Sequence, residues 1–329
     1  MSPLRWGLMG TARINRSVIG GVRASPQSEL VAVASRDAGR AAAYAREWGI
    51  PRSFGSYEEL LADRAVDAVY IPLPNGLHAE WAVRAARAGK HVLCEKPLAI
   101  SLEEVDAIAE AARAAGVVVA EALMYRHCTL TREVKAIVDR GTLGELRFVR
   151  GSFSFPLTRA NDVRLVPALG GGSLWDVGIY PVSYARLVLG AEPVEAAGWQ
   201  TLGPSGVDVA FAAQLRFPSG VLMQCDAGFR AALRHDMEIV GSEASLLVPN
   251  PFKPGPSESV TLLRGDEREA ITVAGPEAHL YVGEVEDLCD AVRLGGKPKV
   301  SLADSRATIA ALLALLASAR DGGRPVKVG

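Results

Sequence analysis

Between residues 5 and 120 the sequence alternates between short apolar runs and longer amphipathic segments, and this alternation constrains the fold more than any other feature. The apolar runs have the length of buried strands and lie at 5–9, 30–34, 68–71, 91–94 and 117–120. Two of the segments between them open on a Ser-x-x-Glu capping box, Ser56 with Glu59 and Ser101 with Glu104. Buried runs that alternate with amphipathic helices are typical of βαβ units. The sequence therefore predicts an α/β domain with a doubly wound parallel sheet over residues 1–121.

Beyond residue 121 the pattern changes to shorter segments of period two, separated by turn signals. Two of these segments, 207–217 and 221–225, flank Pro218-Ser219-Gly220 and predict a hairpin. Helical patterns remain at 131–139, within 170–189 and at 302–319. We predict a second, α+β domain over residues 122–329 with a largely antiparallel open sheet, and we expect helix 302–319 to pack back on the first domain.

Composition excludes several classes of function. A net charge of −1 gives no global field that would attract nucleic acid or an acidic membrane surface. We find no long uncharged apolar stretch and no secretory leader, so we expect a cytoplasmic protein without a membrane span. The cysteines are too scattered for a disulfide framework or a metal site and predict buried or free thiols: Cys94, Cys128, Cys225 and Cys289.

A phosphate-binding loop is predicted between the first strand and the first helix. A tight turn that leads into a helix N-terminus offers backbone N–H groups and the helix dipole to a pyrophosphate. Ala12 and Asn15 replace two glycines of the usual G-x-G-x-x-G pattern, but Ala12 is still small enough for close approach. Together with the sheet, the loop predicts a Rossmann dinucleotide-binding domain. The loop reads Gly10, Thr11, Ala12, Arg13, Ile14, Asn15.

The end of the second strand indicates which dinucleotide is bound. An acidic residue at this place would bind the ribose 2′-hydroxyl of NAD, whereas here Ser35 and Arg36 come first, with Arg40 one turn further. A guanidinium is suited to a 2′-phosphate, so we predict NADP. NAD remains possible because Asp37 follows directly.

Two further segments follow strands, where ligands bind in open α/β sheets. Pro72, Asn75 and His78 follow the strand at 68–71, and Glu95 and Lys96 follow the strand at 91–94. We predict that all five contact the cofactor. His78 has two interpretations: it contacts the nicotinamide side of the pocket or it stabilises the turn.

These motifs, in this order and at these spacings, resemble the oxidoreductase family of glucose–fructose oxidoreductase and inositol dehydrogenase. The carriers of the resemblance are the phosphate loop, Pro74-Asn75-x-x-His78, Glu95-Lys96-Pro97 and the glycine-rich segment 170–181 with Asp176 and Tyr180. Tyrosine at 180, where many members have histidine, resembles the branch with the dimeric dihydrodiol dehydrogenases and the NADP-linked xylose dehydrogenases.

The resemblance implies several further properties. It places Tyr125 and Arg126 in the segment that crosses between domains and lines the substrate site. It implies a homodimer or higher homo-oligomer through the second-domain sheet, a small-molecule substrate and a cis bond before Pro97.

Side-chain chemistry suggests the catalytic roles. Tyr180 is the predicted general base in oxidation and general acid in reduction, because the hydroxyl proton must leave when a carbinol loses hydride. A free tyrosine titrates near pH ~10, and the ammonium of Lys96 would favour its phenolate. Asp176, four residues before Tyr180 on a predicted helix, would share its face and orient the substrate or Lys96.

The sequence leaves three readings of function. The first is an NADP-dependent oxidoreductase acting on a sugar, polyol or vicinal-diol carbon. The second is a non-catalytic NADP(H)-binding sensor or regulatory protein on the same fold, although such a protein would be free to lose Lys96, Asp176 and Tyr180. The third is a carbonyl reductase of an anhydroketose or a tetrapyrrole-like substrate.

Overall fold

Parallel strands linked by helices form the first half of the chain, as the alternating pattern predicts. The computed structural model describes residues 2–275 and 279–329. The strands of that part are β1 (Leu4–Met9), β2 (Ser28–Ala34), β3 (Arg52–Phe54), β4 (Ala68–Ile71), β5 (His91–Glu95), β6 (Val119–Ala122), β7 (Leu146–Ser154), β8 (Glu195–Leu202), β9 (Asp208–Arg216), β10 (Leu222–Gly228), β11 (Arg234–Gly241), β12 (Ser245–Val248), β13 (Ser257–Arg264), β14 (Glu267–Ala274) and β15 (Val326–Lys327). The α-helices are α1 (Asn15–Ala24), α2 (Ala38–Trp48), α3 (Tyr57–Ala62), α4 (His78–Arg87), α5 (Leu102–Ala115), α6 (Thr129–Asp139), α7 (Ile179–Leu189), α8 (Val282–Leu294) and α9 (Leu302–Arg320).

The described residues cluster into two units. The first contains 2–127 and 279–306, and the second contains 128–275 and 307–329. The sequence boundary at 121/122 lies near the first change of unit, but the sequence analysis did not anticipate the return of residues 279–306. These residues carry α8, which the sequence analysis missed altogether.

The first unit is built on a six-stranded sheet in the order β3-β2-β1-β4-β5-β6, with every neighbouring pair parallel. Its central strands are buried on both faces, and Trp6, Tyr70 and Leu93 are at most 1% exposed. Burying a side chain of this kind contributes roughly 1.5–3 kcal/mol. Both capping boxes start helices, because Ser56 accepts from the backbone N–H of Glu59 and Ser101 from that of Glu104.

The second unit is built on a nine-stranded sheet in the order β14-β13-β12-β11-β7-β10-β9-β8-β15, in which β10 and β7 pair in parallel and the other described pairs are antiparallel. The predicted hairpin around Pro218 is confirmed as β9–β10, and the segment 207–217 forms the single strand β9. One face of β9 is buried and the other is exposed. Helix α7 packs on β7 and β10, where Gly151 leaves room for Pro181. The α/β Rossmann sheet followed by a largely antiparallel sheet is therefore confirmed.

Helix α9 is long and apolar enough to cross a membrane by length and composition alone. More than half of its most apolar window, 56%, is buried. Its hydroxyl groups bond inside the protein: Ser305 donates to Glu121 Oε2 at 2.7 Å, and Ser318 Oγ accepts from the backbone N–H of Gly198 at 3.0 Å. Such burial is typical of a core helix. Residues 302–306 of α9 belong to the first unit and the rest to the second.

Candidate active site

The predicted phosphate loop is a tight turn closed by its own side chain. Gly10 has φ 123°, a conformation that L side chains rarely adopt, and α1 begins five residues later at Asn15. The fully buried Asn15 donates from Nδ2 to the carbonyl oxygen of Gly10 at 2.8 Å. Asparagine at this place, where the usual pattern has glycine, therefore fixes the loop. The first-turn N–H groups of α1 face no acidic side chain of that turn, which fits an anionic ligand.

Two arginines lie beside this loop at the end of β2. The carboxylate of Asp37 caps α2 by accepting from the backbone N–H of Arg40 at 2.7 Å. Burial raises the pKa of Tyr57, and the charges of Arg36 and Arg40 act to lower it. The Tyr57 hydroxyl in turn lies 3.7 Å from the place where a Cβ on Gly10 would be. Positive charge is thus concentrated at the phosphate loop, and the sequence analysis missed Tyr57.

The loops that follow β4 and β5 are joined by one imidazole. His78 is fully buried; its Nδ1 lies 2.7 Å from the carbonyl oxygen of Pro97 and its Nε2 lies 2.6 Å from that of Leu73. Burial lowers the pKa of His78 to about 4, although both carbonyl contacts oppose that shift. Both ring nitrogens therefore lie against backbone carbonyl oxygens, and the neutral imidazole donates its one N–H to one of them, which supports the turn-stabilising interpretation. The Lys96–Pro97 bond is cis, as expected.

Two buried glutamates of the first unit, Glu121 and Glu284, accompany the half-buried Glu95 that precedes Lys96. Glu121 accepts from the backbone N–H of Leu98 at 2.9 Å and from Ser305 at 2.7 Å. Glu95 accepts a 2.5 Å hydrogen bond from the hydroxyl of Tyr70. Neither carboxyl oxygen of Glu284, on α8, has a hydrogen-bond partner among the described residues. Burial and the nearby Glu95 raise the pKa of Glu284 well above its ordinary value.

The predicted substrate residues Tyr125 and Arg126 lie in a short 3-10 helix, Met124–His127. Tyr125 is fully buried. Arg126 Nη1 forms an ion pair with Asp304 at 3.1 Å, inside the first unit. This pair anchors the segment that leads out of the sheet.

The glycine segment of the second unit is shaped by residues far away in the chain. Gly172 has φ 132°, and a Cβ there would lie 2.3 Å from Oδ1 of the buried Asp208. Asp208 Oδ2 accepts from the hydroxyl of Ser173 at 2.6 Å and from the backbone N–H of Leu174 at 2.8 Å. Burial raises the pKa of Asp208, while these hydrogen bonds act to lower it. The sequence analysis missed Asp208, since only the folded β9 brings it here.

Asp176 lies in a π-helical turn, Leu174–Gly178, and α7 begins only at Ile179. This corrects the expectation of one regular helix through Asp176 and Tyr180. A π-turn adds one residue to the turn and is frequent at functional sites. Asp176 Oδ2 accepts from Arg164 Nε at 2.6 Å, and Arg164 Nη1 donates to Asp162 at 3.1 Å. Sequence reasoning missed Arg164.

Tyr180 lies in an aromatic cluster of the second unit. Its ring centroid is 5.2 Å from that of Phe153 on β7 and 5.3 Å from that of Phe252, and the residue is 4% exposed. Such ring pairs hold an aromatic side chain in one orientation. Asp176 and Tyr180 thus both lie in the second unit, and Gly10, Arg36 and Arg40 lie in the first.

Family models match both halves of the chain. Residues 4–123 match an oxidoreductase family with an NAD-binding Rossmann fold, and residues 131–247 match the C-terminal domain of the same family, Gfo/Idh/MocA. The chain belongs to the Gfo/Idh/MocA oxidoreductases. The predicted family, the enzyme class and a nicotinamide dinucleotide as cofactor are thereby confirmed.

Members of this family with sugar substrates resemble the chain over nearly its whole length. D-xylose 1-dehydrogenase (NADP(+)) 2 of Haloferax volcanii is 39% identical and covers 97% of the chain and 98% of its own. 1,5-anhydro-D-fructose reductase of Ensifer adhaerens is 36% identical, with 97% of each chain covered. The structure of a 3-ketoreductase from Actinomadura kijaniata in complex with NADP and TDP-benzene is 32% identical, with a TM-score of 0.92 over 96% of the chain and 98% of its own.

Proposed function

We propose that the protein is an NADP-dependent oxidoreductase that transfers a hydride between the nicotinamide and a sugar, polyol or vicinal-diol carbon. The observation that carries the proposal is that two side chains of the second unit are each held in place, Asp176 by Arg164 and Tyr180 by Phe153 and Phe252. A tyrosine held in one orientation is suited to move a hydroxyl proton, and a positioned acid–base group of this kind contributes typically ~10²–10⁴ in rate.

Each catalytic side chain has a separate role in this proposal. Tyr180 accepts the substrate hydroxyl proton in oxidation and returns it in reduction. The Lys96 ammonium favours the phenolate of Tyr180 and donates to the substrate oxygen. Asp176, oriented by Arg164, accepts a hydrogen bond from a neighbouring substrate hydroxyl. When bound, the nicotinamide supplies the hydride acceptor or donor.

NADP is the proposed cofactor because the 2′-phosphate suits the charges at the end of β2. Ser35, Arg36 and Arg40 would hold that phosphate, while the loop from Gly10 to Ile14 would hold the pyrophosphate. The carboxylate of Asp37 already accepts from the backbone of α2 and is less suited to bind a ribose hydroxyl. Pro72, Asn75, His78, Glu95 and Lys96 are the proposed frame of the nicotinamide end.

Steady-state turnover followed by nicotinamide absorbance tests the function. NADP⁺ and NAD⁺ are compared on a panel of aldoses, inositols and vicinal diols, with Tyr180→Phe and Arg36→Ala beside the wild type. We expect the wild type to turn over with NADP⁺. Tyr180→Phe should lower kcat about 10²-fold or more. Arg36→Ala should raise the KM for NADP⁺ and change no other kinetic constant. Tight NADPH binding without turnover on any substrate would support a sensor instead.

Carbonyl reduction is a second candidate function. The resemblance to 1,5-anhydro-D-fructose reductase favours it specifically. The same side chains serve this direction, with Tyr180 as the proton donor. Reduction of an anhydroketose by NADPH, faster than any oxidation in the panel, would select this candidate.

The proposal also covers partners and location. The substrate is a small molecule, neither nucleic acid nor a membrane is a partner, and the protein is cytoplasmic. The chain forms a homodimer or higher homo-oligomer through the second-unit sheet. Phe148 and Leu222 are register neighbours on β7 and β10, and Trp199 lies on the same face of the sheet on β8, beyond β9; all three are 41–51% exposed. Burying such a face would stabilise a self-complementary dimer. A monomeric mass across a concentration series in light scattering would refute the dimer.

A further inference from the structure

A cleft of about 490 Å³ opens in the second unit beside the segment that leads to the glycine turn at 170–174, which we call the catalytic turn. We call the cleft itself the rim cleft. Its apolar lining includes Leu157, Leu165, Val209 and Phe229. Backbone hydrogen bonds fix this lining, because Leu157 donates to the Phe229 carbonyl and Phe229 donates to the Val209 carbonyl, at 2.9 and 2.8 Å. The volume lies within the ~300–1,000 Å³ of small-molecule sites, so the cleft is a preformed place for an apolar group.

One guanidinium joins the wall of the rim cleft to the catalytic carboxylate. Asp162 lines the cleft and accepts from the backbone N–H and from Nη1 of Arg164, at 3.0 and 3.1 Å. The same Arg164 donates from Nε to Asp176 at 2.6 Å. When a substrate is bound at Asp176, a substituent that points along Arg164 can therefore reach the cleft.

The charges of the rim cleft favour a neutral occupant. The carboxylate of Asp162 is paired with Arg164, and Arg230, on the exposed edge, is the cation that remains among the lining residues. Diphosphates are usually bound by several charged or backbone donors. A carboxylate in the wall and a single exposed arginine are poorly suited to a nucleotide diphosphate.

We propose that the rim cleft is a subsite for a neutral aryl or fused-ring substituent that extends from the reacting sugar or diol ring. This inference rests on the proposed function and specifies its substrate class. The substituent packs on Phe229 and Leu157, while Asn161 and Ser205 at the polar edge contact its oxygen atoms. The parent ring stays at Asp176.

Calorimetric binding to the NADPH-saturated enzyme tests this subsite. The probes are phenyl and methyl β-D-glucopyranoside, with TDP as a charged comparison. Burial of the phenyl ring should make the Kd of the phenyl glycoside about tenfold lower than that of the methyl glycoside. Ser205→Trp, which places an indole in the cleft, should reduce this ratio to about one.

Ser219→Trp is the matched control. Both serines are exposed and lie in hairpin turns of the same sheet. Each turn is closed by two backbone hydrogen bonds, which include Gly203 to Val207 in the first turn and Phe217 to Val221 in the second. Because Ser219 does not line the cleft, its variant should keep the tenfold ratio. Equal affinity of the two glycosides in the wild type, equal loss in both variants, or displacement of the phenyl glycoside by TDP would each overturn the subsite. The turnover panel is a separate measurement, so failure of the subsite and failure of the proposed function are distinguished.

Discussion

The two glycine turns of the chain introduce their helices in different ways. The phosphate loop at 10–15 is closed by its own Asn15, which donates to the Gly10 carbonyl oxygen five residues earlier. The catalytic turn at 170–174 is closed by Asp208, which lies 35 residues beyond Ser173 on β9. The first turn can therefore form once its own residues are in place, whereas the second needs the sheet to fold first. Local sequence determines the one, and tertiary structure determines the other.

The largest expected effect comes from adding a methyl group to each turn. Both Gly172→Ala and Gly10→Ala place alanine at a positive φ, which costs of order 1–3 kcal/mol. In Gly172→Ala the new Cβ also meets Asp208 Oδ1 at 2.3 Å, whereas in Gly10→Ala the nearest atom, of Leu73, is 3.6 Å away. We expect Gly172→Ala to lower the free energy of unfolding by about 4 kcal/mol and Gly10→Ala by about 2 kcal/mol. Urea unfolding measures both, and equal losses would contradict the difference between the turns.

The same contrast explains what the sequence could predict. The strand–turn–helix order around Gly10 and the capping serines Ser56 and Ser101 are local patterns, and the structure has them where the sequence placed them. The return of the chain as α8 was missed because residues 282–294 contain no cap signal: the residue before the helix, Tyr281, makes no side-chain cap. Glu284 could not be recognised from sequence, since its burial depends on elements far apart in the chain.

The catalytic turn shows the limit most clearly. Asp176 and Tyr180 were predicted from the motif, but the π-turn between them and the partners Arg164 and Asp208 were not. A spacing of four residues predicts a shared face only for a regular α-helix. The inserted π-turn is recognised only when the backbone is seen.

Removing the polar group that closes each turn should separate two kinetic effects. Asp208→Ala leaves the hydroxyl of Ser173 and the N–H of Leu174 buried without their acceptor, which displaces the start of the catalytic turn. We expect a loss of about tenfold in kcat, from about 1.4 kcal/mol of misplaced geometry, with an unchanged Kd for NADPH. Asn15→Ala loosens the phosphate loop, so here the Kd for NADPH should rise about tenfold and kcat should change little.

Fluorescence titration of NADPH and steady-state kinetics on one active substrate measure this split. Asp208→Asn is the conservative control, because both hydrogen bonds go to Oδ2 and an amide oxygen at that position still accepts them, so this variant should keep most of kcat. If both alanine variants changed kcat and the NADPH Kd together, the two turns would not act separately.

The smallest effect on activity is expected from substitutions where α1, the helix that follows the phosphate loop, packs against the start of α8. Gly21 of α1 lies against the backbone of Tyr281, and a Cβ there would be 2.8 Å from its carbonyl carbon. Three residues on, Glu284 is buried next to Glu95, Tyr70 and Tyr281. An isolated carboxylate in such surroundings neutralises rather than staying charged. Glu121, in the same unit, instead has hydrogen bonds to both oxygens.

The two glutamates should therefore respond differently to replacement by glutamine. Burial, with the charge of Glu95, raises the folded pKa of Glu284 well above its ordinary 4.5, so the folded protein keeps a proton that the unfolded chain releases. The stability from this proton is fully present below pH ~4.5 and is lost as the pH rises through the folded pKa. Glu284→Gln removes that loss, so the variant should match the wild type near pH 4 and become progressively more stable than it as the pH rises above ~4.5. Glu121→Gln turns an amide N–H₂ toward a donor and should destabilise the protein at every pH.

Urea unfolding across this pH range measures both variants. A constant difference in stability between Glu284→Gln and the wild type would mean that Glu284 does not hold the proton. Its carboxylate on α8 would then need a cation or ordered water as a partner.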